Sequence, residues 1–221
     1  PDPDPVHSDA AAASPVETDV QVKVLAHLGG YTQAVEAVGD HALVGEGRHL
    51  LSVDLRDPTL PRVVWRSPDL GADVRDIHVE GGVALVATGI LHVLDIGDPT
   101  APVYLGSFGS FPGYDVVADG STAYVLAADR FRILDMSEPG APRQLGAFTG
   151  LTNAADISVA GGVVWVAESR SGLRAVDVRD PSAPIGLSLT APEAGIGYAM
   201  CVASEGQLVV VAGLGASTSN A

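Results

Sequence analysis

The sequence predicts an all-β protein, a β-propeller built from four-stranded antiparallel blades. Short runs rich in Val, Ile and Leu alternate with Gly, Asp and Pro turns along most of the 221 residues, which is typical of strands. An eight-residue signature, Asp-x-x-(Asp/Glu)-Pro-x-x-Pro, occurs four times, and its leading aspartates are 41, 40 and 42 residues apart. Four-stranded units that repeat about every 40 residues indicate propeller blades.

Each repeat contains four strand-like stretches, as residues 74–108 show. The turn between the first two stretches needs residues that tolerate positive φ, which glycine does without steric cost. It recurs as Gly39-Asp40, Gly81-Gly82, Gly120-Ser121, Gly161-Gly162 and Glu205-Gly206. No stretch has the 3.6-residue apolar spacing of an amphipathic helix, so we expect almost no helix.

The repeated signature predicts a tight turn between the third and fourth strands. An acidic residue before proline favours a type I turn. These acids are Asp57, Asp98, Glu138 and Asp180, and the leading aspartates that we expect to support the same turns are Asp54, Asp95, Asp135 and Asp177. The second proline of each signature cannot donate to a β ladder, so the strand that it opens should be the outermost of its blade.

The strand inventory predicts four complete blades and one split or incomplete blade. Residues 1–18 are rich in Pro, Ala, Ser and Asp and are expected to be a disordered lead-in, and residues 216–221 a disordered tail. The propeller should occupy residues 19–215, with 20–28 as a lone fourth strand and 200–212 as a first and second strand. This count suggests an excerpt of a longer propeller.

Composition narrows the classes of function. Hydrophobic residues make up 47% of the chain, enough for a sizeable core, yet no apolar run is long enough to predict a transmembrane segment. The net charge of −15 disfavours nucleic acid, and a single cysteine, Cys201, excludes a disulfide framework. The sequence has no nucleophile elbow, P-loop, HExxH or GxGxxG motif. The lead-in resembles segments that follow an export signal, which favours an exported, periplasmic or cell-surface protein.

Alignment of the repeats suggests a ring of carboxylates at the start of the innermost strands. Its members are Glu36, Asp76, Asp115 and Asp156, with Cys201 in the fifth copy. Each acid could accept a hydrogen bond from a backbone N–H of the neighbouring blade, or together they could bind Ca²⁺, which prefers six to eight oxygen ligands. His78 and His92 lie on adjacent strands of one blade and could meet, as a packed pair rather than a metal site. We expect Cys201 to be buried and inert.

The connections between blades supply a second set of candidates. Aromatic and amide side chains there suit a sugar or a polypeptide, although the same rings could simply cap the blade interfaces. The candidate ligand-binding residues are Tyr31, Phe111, Tyr114, Asn153 and Tyr198. They suggest a protein or glycan partner, and the sequence leaves the oligomeric state open.

The strand before each signature resembles the LVIVD-repeat family. The matching stretches are Leu51-Ser52-Val53-Asp54, Leu91-His92-Val93-Leu94-Asp95, Phe131-Arg132-Ile133-Leu134-Asp135 and Leu173-Arg174-Ala175-Val176-Asp177. The resemblance implies a β-propeller, often found on bacterial and archaeal cell surfaces, and it implies no single activity. We therefore expect a non-enzymatic scaffold that binds a protein or glycan through its inter-blade loops. Two alternatives remain: a hydrolase or lyase that uses the carboxylate ring with a divalent cation, and a purely structural spacer.

Overall fold

The structure, a computed structural model, describes residues 31–190 and 198–214, and the side chains of all of these except 110–112 and 189–190. The predicted lead-in (1–18), lone strand (20–28) and tail (216–221) lie outside the described residues. Within the described part the chain forms only β-strands and turns, as predicted. No helix there has the length and hydropathy needed to cross a membrane.

Four antiparallel four-stranded sheets form the predicted complete blades. Blade 1 contains β1 (Thr32–Val38), β2 (His41–Glu46), β3 (His49–Asp54) and β4 (Arg62–Arg66). Blade 2 contains β5 (Asp76–Glu80), β6 (Val83–Ala87), β7 (Gly89–Asp95) and β8 (Val103–Gly113). Blade 3 contains β9 (Asp115–Asp119), β10 (Thr122–Ala127), β11 (Arg130–Asp135) and β12 (Arg143–Thr149). Blade 4 contains β13 (Asp156–Ala160), β14 (Val163–Ala167), β15 (Leu173–Asp177) and β16 (Ile185–Thr190).

A fifth sheet has two described strands, β17 (Tyr198–Glu205) and β18 (Leu208–Leu214). The first strands of successive blades lie side by side in the order β1, β5, β9, β13, β17, and the fourth strand of each complete blade is at its outer edge. The apolar core lies between blades, as stacked sheets require. Leu43 and Leu50 of blade 1, for example, share one buried cluster with Val86 and Leu94 of blade 2.

The turns follow the sequence prediction, except that the fifth hairpin turns at Gly206-Gln207, one residue later than predicted. Each hairpin between a first and second strand has two turn residues, and Gly81 and Gly82 adopt φ of 56° and 81°, a region that favours glycine. In the signature turns, the leading aspartate accepts a hydrogen bond from the backbone N–H two residues later. The N–O distances are 2.9 Å for Asp54, 2.8 Å for Asp95, 2.9 Å for Asp135 and 3.0 Å for Asp177.

Glycines bring the outer strands of blades 2 and 3 into backbone contact with the signature turn of the next blade. A Cβ atom added to Gly106 would lie 2.6 Å from the carbonyl oxygen of Gly140, and one on Gly146 would meet the carbonyl oxygen of Pro181. Neither contact leaves room for a side chain. Close packing between blades therefore depends on glycine at this position of the fourth strand.

Replacing Gly106 by alanine should destabilise the fold by about 1–3 kcal/mol, because the methyl group overlaps a backbone oxygen that cannot rotate away. The free energy of unfolding from urea titration would measure this change. Gly140→Ala is the matched control, since its Cβ would lie 3.4 Å from the nearest atom, the carbonyl oxygen of Leu105. Equal stability of the two variants would contradict the close inter-blade contact.

Candidate functional site

The two ends of the propeller differ in the connections that they carry. We call the end at which the first strands begin the start face; it carries the inter-blade connections 67–75, 114 and 150–155. The opposite end, the turn face, carries the four signature turns, 55–61, 96–102, 136–142 and 178–184. Asp76, Asp115, Asp156 and the predicted ligand-binding residues lie toward the start face, because they are close to where first strands begin, whereas Glu36 is two residues from the end of β1.

Three of the predicted carboxylates connect neighbouring blades through hydrogen bonds. Each carboxylate accepts a hydrogen bond from the first strand of the next blade. The donor is the backbone N–H of the residue that directly follows the equivalent position in that strand. The N–O distances are 2.9 Å for Val116 to Asp76, 3.0 Å for Ile157 to Asp115 and 2.6 Å for Val202 to Asp156. We call Asp76, Asp115 and Asp156 the carboxylate ladder. It makes the inter-blade hydrogen bonds that the sequence suggested as one alternative.

Glu36 does not occupy the equivalent position in blade 1, so its predicted alignment was wrong. The ladder aspartates lie four residues before the last residue of their strand, as Asp76 does before Glu80, and the corresponding residue before Val38 is Ala34. Glu36 instead aligns with His78. Burial raises the pKa of Glu36, and the nearby His78 partly opposes that rise.

The middle of the ladder holds its proton more tightly than an ordinary carboxyl. Burial raises the pKa of Asp115 well above its usual value, and the charges of Asp76 and Asp156 and hydrogen bonds to them raise it further. A protonated Asp115 can donate to a neighbouring carboxylate while its other oxygen accepts from Ile157. Three adjacent carboxyls can thus pack together without three full negative charges.

The ladder does not have the form of a metal site. In the ranges that the structure describes, no three His, Cys, Asp or Glu side chains are grouped so that they could hold a metal ion. Each ladder aspartate already uses one oxygen for a backbone N–H. Binding of Ca²⁺ by these carboxylates therefore stays a prediction, which thermal melts in Ca²⁺ and in EDTA can test.

Tyr31 and Tyr114, two of the predicted ligand-binding residues, have different environments. Tyr31 is 67% exposed, and its hydroxyl accepts a hydrogen bond of 2.7 Å from the Gln33 side chain. Tyr114 is half-buried and donates its hydroxyl proton to the carbonyl oxygen of Ala154, which joins blade 3 to the connection before blade 4. Burial, with a smaller contribution from Asp115, raises the pKa of Tyr114 to about 12. Tyr31 is available to a ligand, whereas Tyr114 caps an interface.

The other three predicted ligand-binding residues are spread over the same face. Asn153 is exposed with φ of 49°, and its carbonyl oxygen accepts a 2.7 Å hydrogen bond from the Ser169 hydroxyl. Tyr198 is half-buried at the beginning of β17. Phe111 lies in β8, but its side chain is outside the described part of the structure.

Sequence reasoning missed a buried ion pair on the start face. Glu168 is fully buried, and its carboxylate pairs with Arg174 and accepts a hydrogen bond of 3.2 Å from the backbone N–H of Thr152. The Arg174 guanidinium also lies 6.0 Å from the centre of the Phe148 ring in blade 3. The sequence held one signal for this ion pair: Glu168 precedes Arg174 by six residues, across the hairpin loop between β14 and β15.

Two further expectations fail because of strand register. His78 and His92 are not on adjacent strands, because β6 lies between β5 and β7. They pair with Leu85 and Val86, neighbours in β6 whose side chains point to opposite faces of the blade, so the histidines do not meet. Cys201 is exposed rather than buried. The neighbouring Val202 packs against blade 4, which directs Cys201 to the opposite side of β17.

The sequence profile of the LVIVD repeat matches three segments, residues 29–66, 71–109 and 152–188, which together make up just over half of the chain. The chain belongs to the LVIVD repeat family. The matches cover blades 1, 2 and 4 of this LVIVD-repeat protein, and blade 3 has the same four-stranded sheet without a match. No curated protein sequence matches the chain.

Among solved structures, the computationally designed Ika8 protein is similar, with a TM-score of 0.66 and 10% sequence identity. The alignment covers 82% of this chain and 55% of that one, so the LVIVD-repeat chain spans about half the length of the designed chain. At this identity the likeness concerns the fold alone. It supports the propeller architecture.

Asp115→Asn should stabilise the protein at pH 8 by on the order of 1 kcal/mol, and the gain should vanish toward pH 4. When the pH is above the usual carboxyl pKa, Asp115 is ionised in the unfolded chain but still protonated in the folded protein. The free energy of unfolding of the wild type therefore falls as the pH rises toward the raised pKa of folded Asp115. Asparagine cannot ionise, yet its amide oxygen can accept the hydrogen bond from the Ile157 N–H and its NH₂ group can donate one to Asp76. Thermal melts from pH 4 to 8 would measure the difference.

Asp119→Asn is the control, because Asp119 is exposed at the end of the same strand and should give no gain. A metal site would produce the opposite pattern. Saturating Ca²⁺ relative to EDTA would then raise the wild-type Tm by about 5–10 °C, and Asp115→Asn would abolish that shift and lower stability in Ca²⁺. We expect no Ca²⁺ shift.

Proposed function

We propose that this LVIVD-repeat chain is a non-enzymatic binding module of an exported or cell-surface protein, and that its start face binds a partner protein. One observation carries the proposal: the blades are alike at the turn face and differ at the start face. The four signature turns each contain seven residues, whereas the described inter-blade connections contain nine, one and six.

The uniform end of the propeller is occupied by its own hydrogen bonds. In three of the signature turns a second aspartate accepts from a backbone N–H, as Asp57 does from Thr59 at 3.0 Å. Asp98 and Asp180 make the same bond at 2.9 Å to Thr100 and 3.0 Å to Ser182. These polar groups support the turns, which leaves little reason for a partner to select this end.

The variable end has the character of a recognition surface. Loops held by a rigid scaffold commonly carry binding residues, because their sequences can change without disturbing the core. Here the loops are anchored by the carboxylate ladder and by the buried pair of Glu168 and Arg174. They present Tyr31, Thr152 and Asn153 to solvent.

The exposed side chains favour a protein over a glycan. A sugar ring stacks on an exposed aromatic face, and among the predicted aromatic residues with described side chains only Tyr31 offers one, because Tyr114 is bound to Ala154 and Tyr198 is half-buried. An exposed apolar residue in the strand that follows Tyr31, Val35, suits a polypeptide partner. The Pro-, Ala- and Ser-rich lead-in in the sequence supports export.

A random peptide library, selected against the full chain, tests the start face. We expect recovered peptides to bind the wild type and to lose at least about tenfold in affinity to a Tyr31→Ala/Asn153→Gly variant. Glycine tolerates the positive φ of Asn153, so this variant should keep the fold. Fluorescence anisotropy with labelled peptides would give the dissociation constants.

Ser121→Ala is the matched control, since Ser121 is exposed in a hairpin of the turn face and should leave peptide affinity unchanged. Peptides that are insensitive to the start-face variant but sensitive to the control would overturn the assignment of the face. A glycan array with clear hits, combined with no peptide ligand, would instead identify the partner as a glycan.

A further inference from the structure

A cleft of about 400 Å³ opens between the outer parts of blades 1 and 2. Trp65 and the connection that follows it, including Leu70, form one wall, and His92, Leu94 and Tyr104 of blade 2 form the other. The floor is buried, since Leu94 is 1% and His92 5% exposed, whereas Tyr104 at the mouth is 52% exposed. A volume in this range is typical of small-molecule sites.

The cleft is lined by the residue that blade 1 has in place of the glycine of blades 2 and 3. In the third strand of each blade, one residue lies two positions before the signature aspartate. Its partner in the fourth strand is Trp65, Gly106, Gly146 and Ser188 in blades 1 to 4. Glycine lets blades 2 and 3 touch the following signature turn through backbone atoms. An indole cannot make that approach, so Trp65 separates the outer strands of blades 1 and 2 and becomes a wall of the gap.

The imidazole of His92 is held in place at the base of the cleft. Its Nε2 lies 3.0 Å from the Thr88 hydroxyl, and its Nδ1 lies 3.5 Å from the Tyr104 hydroxyl, the long limit of a hydrogen bond. The rings of His92 and Tyr104 are tilted by 60° with their centres 5.9 Å apart. Burial lowers the pKa of His92, and a hydrogen bond with the Leu70 backbone opposes this only in part. The ring is therefore neutral at neutral pH.

We propose that this cleft binds a neutral aromatic molecule of one or two fused rings that carries a single hydrogen-bonding group. Trp65 and Tyr104 offer aromatic faces, and Leu70 and Leu94 supply apolar contact. The contact of the Tyr104 hydroxyl with Nδ1 of His92 is long, which leaves this hydroxyl able to bond to a ligand atom. Residues 67–71 of the cleft also belong to the start face, but Tyr31 and Asn153, which the partner proposal tests, do not line the cleft.

The charges around the cleft favour a neutral ligand over an ion. Asp69, the one carboxylate among the lining residues, is half-exposed at the mouth and pairs with Arg48 at 2.9 Å. Ser67 already bonds to the Leu50 N–H at 2.9 Å and to the Pro68 carbonyl at 2.7 Å. A sugar would find few free polar partners on these walls, and an ion would find no unpaired opposite charge among the lining residues.

Indole is a suitable probe, with benzamidine, benzoate and methyl glucoside as cationic, anionic and sugar comparators. Isothermal titration of the full chain should show saturable indole binding, at least about tenfold tighter than any comparator. Tyr104→Ala should weaken indole binding by about tenfold or more, and Tyr104→Phe should weaken it less. Trp65→Gly, which installs the residue found in blades 2 and 3, should abolish it.

Gln144→Ala is the matched control, because exposed Gln144 occupies in blade 3 the strand position that Tyr104 occupies in blade 2, and its loss should leave indole affinity unchanged. Tyr104 is exposed enough that its loss should not prevent folding, so the test stands even if Trp65→Gly fails to fold. Absence of saturable binding, or binding that Tyr104→Ala does not change, would overturn the proposal. A tryptophan-containing pentapeptide that binds tenfold more tightly than indole would also overturn it, since the cleft would then fit a protein side chain.

Discussion

The hydrogen bond from a backbone N–H of one blade to an aspartate of the blade before it is the interaction on which this propeller depends. The first strand of each blade is the edge of its sheet, so alternate N–H groups on it have no partner within the sheet. Asp76, Asp115 and Asp156 each supply a carboxylate acceptor for such a group. A half-buried N–H left unpaired would cost stability, and both an ionised and a protonated carboxyl can supply the acceptor oxygen.

The same interaction sets how the blades can differ. Because the ladder fixes the inner strands and glycines fix the outer strands of blades 2 and 3, neighbouring blades have one permitted spacing there. Blade 1 has Ala34 in place of a ladder aspartate and Trp65 in place of the glycine. The interface between blades 1 and 2 therefore lacks both restraints, and it contains the large apolar cleft.

The features that the sequence could predict are local ones. The hairpins, the signature turns and the outermost position of the fourth strand follow from glycine, aspartate and proline acting on their own backbone. Alignment of the repeats also predicted the equivalent positions of Asp76, Asp115 and Asp156. It placed Glu36 with them wrongly, although the spacing to the hairpin glycine was in the sequence: each of the three aspartates lies five residues before that glycine, and the residue five before Gly39 is Ala34.

Features that depend on two blades at once were beyond the sequence. The raised pKa of Asp115 arises from side chains about 40 residues away on either side, and the capping role of Tyr114 from a carbonyl in the next connection. The exchange of Trp65 for glycine is visible in the sequence, but its meaning requires the strand register.

Native-state hydrogen exchange of the Ile157 amide tests the central role of the ladder most directly. If the bond to Asp115 locks blade 3 to blade 4, this amide should exchange as slowly as the amides of the buried strand β10, through global unfolding only. The Asp115→Asn variant should keep that protection, since its amide oxygen still accepts. Exchange of Ile157 faster than β10 by on the order of a hundredfold would show that the blades separate locally, and would contradict the account.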